Sequence, residues 1–339
     1  MLRLPKFRVL EPRTVEEALS ALAEHGDRAR ILAGGTDLLP NMKHELETPE
    51  VVVSLQRIDS LREIVEHPGH IELGPLNTLH ELSRHPLLSR YFPSLAEACA
   101  EVAGPQLRRM GTIGGNVCLD TRCVFVNQTY FWRQALGFCL KKDGTVCHVV
   151  AGGRRCVAAA SNDSGPVLMS LGASLELASA SGVRTLSIDE FYVQDGTFNQ
   201  ARARNELLAS IKIPKPAPGT IMAYQKLRTR AAIDFPELGV AVLAERNGHG
   251  IAERVEVCLT ALASRPVRVQ KLLTAYSGKP LDAQTIGAIA RVAHDRARPL
   301  TNLATDPDYR REMVPVIVRR AFKVALERGP HRAEALSIS

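Results

Sequence analysis

The sequence predicts an α+β chain built as three packed units. Its 339 residues exceed the size at which one hydrophobic core usually stops growing. Short apolar segments alternate with capped helices over the first two-thirds of the chain. After the linker Lys215-Pro216-Ala217-Pro218-Gly219, alternating strands come first and helices follow. The 45% hydrophobic and 23% charged content is ordinary for a globular protein. No apolar run approaches about eighteen residues, and Met1-Leu2-Arg3-Leu4-Pro5-Lys6 lacks the apolar core of a leader, so neither a membrane span nor a secretory signal is expected, and the expected compartment is the cytoplasm. Seven cysteines, an odd number, suit free thiols plus a metal or cluster site better than a disulfide framework. The net charge of +7 forms no block of consecutive like charges, a weak signal for nucleic acid and compatible with an acidic protein partner.

The first unit is expected over 1–57. Phe7 to Leu10 is a short apolar segment; Thr14 and Glu17 form a capping box for a helix in which Val15, Ala18, Leu19 and Leu22 recur at helical spacing, and His25-Gly26 stops it. Ala29 to Ala33 reads as a strand leading into Gly34-Gly35-Thr36-Asp37, Leu38 opens a short helix, and Val51 to Leu55 is the next strand. A strand, a glycine pair and a helix start make an anion-binding corner, although Gly-Gly after a strand is also an ordinary tight turn. Asp37 has the wrong sign for phosphate, so its expected work is to cap the helix or fix the loop.

The second unit is expected over 58–220. It begins with strands at Ile64-Val65 and Ile71-Glu72-Leu73, a helix from Thr78 to Arg84 with Thr78 and Glu81 as capping box, and a longer helix from Ser94 to Val102. The turn Gly111-Thr112-Ile113-Gly114-Gly115-Asn116 follows. Three glycines in six positions suit a backbone that approaches a phosphate or flat ring closely. Val167 to Leu171 and Ser174 to Ala178 read as strands parted by Gly172, followed by Val183 to Ile188 and Glu206 to Ile213. In the third unit, 221–335, strands are expected at Ile221 to Leu227, Leu238 to Glu245 and Arg254 to Ala263. Asn247-Gly248 marks a hairpin, and helices are expected at Pro266 to Tyr276, Ala283 to Arg296 and Asp308 to Arg328.

Ile31 to Leu39, Arg109 to Asn116, Ser161-Asn162-Asp163 running into Leu168 to Ala173, Tyr224-Gln225-Lys226 with Asp234-Phe235-Pro236, Ala263 with Arg265-Pro266, and Tyr309-Arg310-Arg311 together resemble the FAD-binding subunits of the molybdenum hydroxylases. Each motif is weak alone, but the ordered set spans nearly the whole chain. The resemblance implies a two-lobed FAD-binding (PCMH-type) domain followed by a C-terminal α+β domain like that of the CO dehydrogenase flavoprotein. It implies FAD held by Leu32, Ala33, Gly34, Gly35, Thr36, Asp37 and Leu38 in one loop. Arg109, Thr112, Ile113, Gly114, Gly115 and Asn116 would hold it in the other, with Asp163 as a ribose or loop-fixing contact. Lys226 would approach the flavin ring; its ordinary reading is a solvated strand lysine.

The departure from the family pattern lies at about 121–160, where roughly forty extra residues carry Cys123, Cys139, Cys147 and Cys156. Four thiolates suit a [4Fe-4S] cluster or tetrahedral zinc, with unliganded thiols as the remaining alternative; the paired cysteines two to four residues apart of a usual structural zinc site are missing, and the spacing is not a ferredoxin signature either. The insertion resembles that of the β subunits of 4-hydroxybenzoyl-CoA reductases, which carry such a cluster beside FAD. That resemblance implies an electron relay from reduced ferredoxin through this chain to [2Fe-2S] and molybdenum-cofactor subunits, with the catalytic site on a partner and no catalytic residue here. Phe125, Tyr130, Phe131, Trp132 and Phe138 are expected to form a small core shielding the cluster. Cys118 and His148 are competing ligands, while Cys99 and Cys258 are expected as buried hydrophobes. Alternatives are the flavin subunit of another molybdenum hydroxylase, a stand-alone flavin oxidoreductase, or a zinc-stabilised interaction subunit.

Overall fold

A computed structural model of the chain describes residues 2–330, so the expected end of the third unit, 331–335, lies outside the described residues. Three sheets organise it. β1 (Arg8–Leu10), β2 (Ala29–Leu32) and β3 (Val51–Ser54) form a parallel sheet in the order β1-β3-β2. β4 (Ile64–Glu66), β5 (His70–Leu73), β6 (Ser174–Ser179), β7 (Gly182–Ser187) and β8 (Leu207–Pro214) form an antiparallel sheet ordered β4-β5-β8-β6-β7. β9 (Ile221–Leu227), β10 (Leu238–Arg246), β11 (Ala252–Thr260) and β12 (Val267–Arg268) form the third, ordered β12-β11-β10-β9.

The capped helices follow their sequence signals. Thr14 accepts from the Glu17 N–H at the start of Val15–His25, whereas the Glu17 carboxylate reaches the Arg13 N–H rather than closing the box on Thr14. Thr78 and Glu81 make the full reciprocal box for Leu79–Leu82. Pro93–Glu101 and Ala283–Arg296 lie where expected, and the last helix, Pro307–Arg328, buries Val314, Ile317, Val318, Ala321, Phe322 and Ala325 along one stripe.

Two elements differ from expectation. Val167 to Leu171 is not a strand but the end of the helix Ser164–Leu171, closed by Gly172 at φ 70°. All eight residues of that helix are buried, so no polar face marks its period, and a short apolar run of this kind does not declare its type. The first residues after Pro266 form β12 rather than a helix, which begins only at Leu272. The β10–β11 hairpin is present, but its loop spans 247–251 with the left-handed position at Gly250, not at Gly248.

Ser164–Leu171 is buried all round because it lies in a helical layer between two sheets. Its core joins Leu175, Ile211 and Ile213 of the second sheet to Met222, Tyr224, Ala241, Leu243 and Cys258 of the third. On the other face of the third sheet, Ile221, Ala223, Val240, Val242, Val257 and Leu259 pack against the two long C-terminal helices. Both faces of β9 to β11 are therefore covered, and the period-2 pattern sorts side chains between two cores rather than between core and water.

Candidate functional site

Loops flanking the three sheets meet at a cleft of about 500 Å³. Its walls include the loop after β2, Pro75-Leu76, the Gly111 turn, 197–200, Arg202, Arg204 and Ile233-Asp234-Phe235. Of the residues expected to hold FAD, Ala33, Gly34, Gly35, Thr36, Asp37, Leu38, Thr112, Gly114, Gly115, Asn116 and Asp163 line it; Leu32, Arg109, Ile113 and Lys226 do not.

The two glycine loops do different work. Among the described residues, the backbone amides of Gly34, Gly35, Thr36, Asp37 and Leu38 have no hydrogen-bond partner, which leaves five successive donors for an anion. The other turn has spent most of its donors: the Gly111 amide goes to Leu107 O, Ile113 to Asn77 O, Gly114 to Pro75 O, Gly115 to Thr112 Oγ1 and Asn116 to Thr112 O, which leaves the Thr112 amide alone without a partner among the described residues. A row of free N–H groups is thus found in the first turn, whereas the second keeps only the Thr112 amide open. Glycine is needed there largely for packing between loops. A Cβ on Gly34 would lie 1.8 Å from the Met110 carbonyl oxygen, and one on Gly114 would lie 2.5 Å from Pro75 Cβ. Only Gly115 has open space beyond its own Thr112 cap. Asn116 accepts from both the backbone and the hydroxyl of Ser164, tying the turn to the central helix.

Asp37 does not cap its helix with its side chain. Its carboxylate takes the Asn41 amide at 3.0 Å and an ion pair from Arg122. Burial pushes its pKa above the ordinary aspartate value, with Arg122 pulling back. Arg122 also lies over the Phe235 ring, 3.9 Å from its centroid. It sits directly before Cys123, so the insertion reaches both the flavin loop and the third unit through one side chain. Sequence reasoning passed over it because an isolated arginine has no local signature.

Asp163 and Lys226 are 3.0 Å apart and almost completely buried, at 3% and 1% exposure. The Asp163 carboxylate also accepts from Tyr224 Oη at 2.7 Å, and Lys226 Nζ donates to Glu101 O. Desolvation raises the Asp163 pKa, with Lys226 and Tyr224 opposing. Lys226 is therefore the buried partner of a carboxylate on the cleft wall rather than a solvated strand lysine. The cleft residues fit a dinucleotide: beside the five open amides, the buried Nδ2 of Asn199 on the wall has no hydrogen-bond partner. Ile233, on the same wall, holds φ 75°, a costly conformation for a β-branched residue.

The four insertion cysteines converge on one second cavity of about 20 Å³, lined otherwise by Phe125, Val126, Leu140, Lys141, His148, Val149, Val157 and Ala158. Cys118 lies elsewhere, on the flavin cleft, and Cys99 and Cys258 are fully buried core residues. The His148 ring is 2.7 Å from the Phe138 carbonyl oxygen. The expected aromatic shield is only partly formed. Phe125 packs on the cysteines, but Phe131 is 79% exposed, and Tyr130 and Trp132 also face outward. The small core is made of Val126, Ala158 and three of the cysteines, Cys123, Cys139 and Cys156, joined by Leu46 and Val149. Arg133, at 1% exposure, anchors the insertion by donating to the carbonyls of His44 and Glu45. Behind the cysteines, Gly196 donates to Cys156 O and has no room for a side chain, since a Cβ would be 2.8 Å from Cys156 Sγ. The next residues, Thr197 to Gln200, line the flavin cleft, and Arg122 and Cys123, adjacent in the chain, line the flavin cleft and the cysteine cavity respectively.

A parallel three-stranded lobe and an antiparallel five-stranded lobe around a dinucleotide-sized cleft, joined to an α+β C-terminal domain, define a two-lobed flavin cradle. Residues 5–216 match the FAD binding domain in molybdopterin dehydrogenase, and residues 222–325 match the CO dehydrogenase flavoprotein C-terminal domain. The chain belongs to this family, as an FAD-binding subunit of the molybdenum hydroxylases. It is similar to the carbon monoxide dehydrogenase medium chain of Hydrogenophaga pseudoflava, at 28% identity over 324 residues, covering 96% of this chain and 98% of that one. It is 23% identical over 319 residues to the nicotinate dehydrogenase FAD-subunit of Eubacterium barkeri, covering 93% of this chain and 95% of that one. A solved carbon monoxide dehydrogenase from Hydrogenophaga pseudoflava superposes with a TM-score of 0.80 at 28% identity, covering 96% of this chain and 99% of that one. FAD is the cofactor of this fold, and no helix among the described residues is long and apolar enough to cross a membrane.

Proposed function

We propose that this chain is the FAD- and [4Fe-4S]-containing electron-transfer subunit of a complex that removes the phenolic hydroxyl of 4-hydroxybenzoyl-CoA to give benzoyl-CoA. The observation that carries the reading is the meeting of Cys123, Cys139, Cys147 and Cys156, far apart in sequence, at one apolar-walled cavity. Their spacing favours a cluster over zinc. Among the described residues no three of these sulfurs fall within 4.8 Å of one another, whereas sulfurs around a tetrahedral zinc, with Zn–S of about 2.3 Å, lie roughly 3.8 Å apart. Burial pushes the Cys123 thiol up to about 11 and raises Cys156 as well, so these groups stay protonated unless a strong cationic centre displaces the proton. Apolar walls and limited water access are protein features that tune a cluster's potential.

Ferredoxin is the proposed donor, and [2Fe-2S] and molybdenum-cofactor subunits are the proposed partners, with the reaction in the cytoplasm. Six cations, Arg122, Arg133, Lys141, Lys142, Arg154 and Arg155, against Asp143 alone concentrate positive charge in the insertion, which suits an acidic donor. FAD supplies the ability to exchange one or two electrons. The chain's own part is to present five open amides to the cofactor, hold Asp163 with Lys226, and keep the cysteine cavity dry.

The test is turnover by the purified complex: benzoyl-CoA formed from 4-hydroxybenzoyl-CoA with reduced ferredoxin supports the reading. Oxidation of carbon monoxide or nicotinate instead would favour the flavin subunit of another molybdenum hydroxylase, a second reading supported by the relatives' names. Turnover by this chain alone would favour a stand-alone flavin oxidoreductase.

A further inference from the structure

We propose a divalent-metal site, separate from the flavin cleft and the cysteine cavity, at the tip of the β4–β5 hairpin. The turn His67-Pro68-Gly69-His70 is closed by the His67 amide donating to His70 O at 2.9 Å. That closure brings the two imidazoles face to face, 4.3 Å between centroids and 15° from parallel. Glu72 follows His70 by two residues along β5, so both side chains emerge on the same face of the strand. One ligand atom from each of His67, His70 and Glu72 lies within 4.8 Å of the others.

A second observation points to a missing cation. His67 Nε2 is buried and has no hydrogen-bond partner, although it lies 3.5 Å from a Glu72 carboxylate oxygen. A buried ring nitrogen left unsatisfied beside a carboxylate is accounted for by an ion that takes both as ligands. The lysines on the neighbouring strand make no hydrogen bond to Glu72 or His67, although Lys212 is close enough to feel the Glu72 charge. Lys212, opposite Glu72, is engaged by Glu176 at 2.5 Å, and Lys215 by Glu66 at 2.7 Å. Two imidazoles and one carboxylate suit zinc, nickel or copper rather than magnesium or calcium. Three protein ligands at a half-exposed hairpin leave a coordination position open to water or to a group from another molecule.

Zinc titration of the FAD-loaded chain, followed by isothermal calorimetry, tests this site. Wild type should bind one zinc with micromolar affinity. His70→Ala and Glu72→Gln should each weaken that binding by at least about tenfold while the flavin spectrum and thermal unfolding stay unchanged. Cys139→Ser, which alters the other candidate metal centre, should leave it intact. Equal zinc binding by wild type and His70→Ala, or no uptake by wild type, overturns the proposal. Loss of binding in Cys139→Ser but not in His70→Ala overturns it too, by assigning the zinc to the cysteines. Because the hairpin is remote from the cysteines in sequence and cavity, failure here leaves the cluster reading untouched.

Discussion

Lys226→Met separates a structural from a purely electrostatic role for the buried pair beneath the flavin cleft. The substitution keeps most of the side-chain volume and deletes the charge, leaving Asp163, at 3% exposure, with only Tyr224 as a partner. Breaking a buried pair by removing one member costs about 3–5 kcal/mol, because the remaining charge has neither water nor counter-ion. Replacing both members costs much less, so Asp163→Asn combined with Lys226→Met should recover most of the loss. The sign with pH follows from Asp163. Burial already raises its folded pKa, and loss of Lys226 raises it further. A group whose folded pKa lies above its unfolded value contributes stability at low pH that disappears as pH rises through the folded pKa. The deficit of Lys226→Met should therefore be largest near neutrality and shrink as the carboxyl takes up its proton on acidification. Urea unfolding from pH 8 to pH 5 reads this directly. A single variant within about 0.5 kcal/mol of wild type, or a double variant less stable than the single, refutes the reasoning.

Three further outcomes follow from the same geometry. Gly34→Ala forces a Cβ against the Met110 carbonyl; it should destabilise the lobe contact by about 1–3 kcal/mol and abolish FAD retention, measured by flavin content after gel filtration. Arg122→Ala leaves the half-buried Asp37 carboxylate without its cation beside the open amides, and should weaken FAD binding about tenfold in a fluorescence titration. Cys139→Ser should remove iron and the low-temperature EPR signal of the reduced chain while leaving flavin content unchanged.

The parts of the fold that were legible are those with local signals. Thr78 with Glu81, the Ile221–Leu227 strand and the Ala283–Arg296 helix stand where capping residues and period place them. Val167 to Leu171 reads as a strand because burial on every side of the helix Ser164–Leu171 removes the polar face that gives a helix its period. At the site, the Gly34 to Leu38 corner was visible as a strand, glycines and a helix start. That the Gly111 turn uses its own amides to join the lobes was not, since its partners Pro75 and Asn77 lie more than thirty residues away. Arg122 and Asn199 acquire meaning only through tertiary contacts. The convergence of the cysteines could be posed as a question from spacing, but only the fold brings all four to one cavity.

The most direct test of the central claim is an anaerobic count of iron, acid-labile sulfide and FAD on this chain after separation from its partners. The account predicts about four irons and four sulfides per FAD, as a [4Fe-4S] cluster requires. FAD without iron, or zinc in its place, would contradict it.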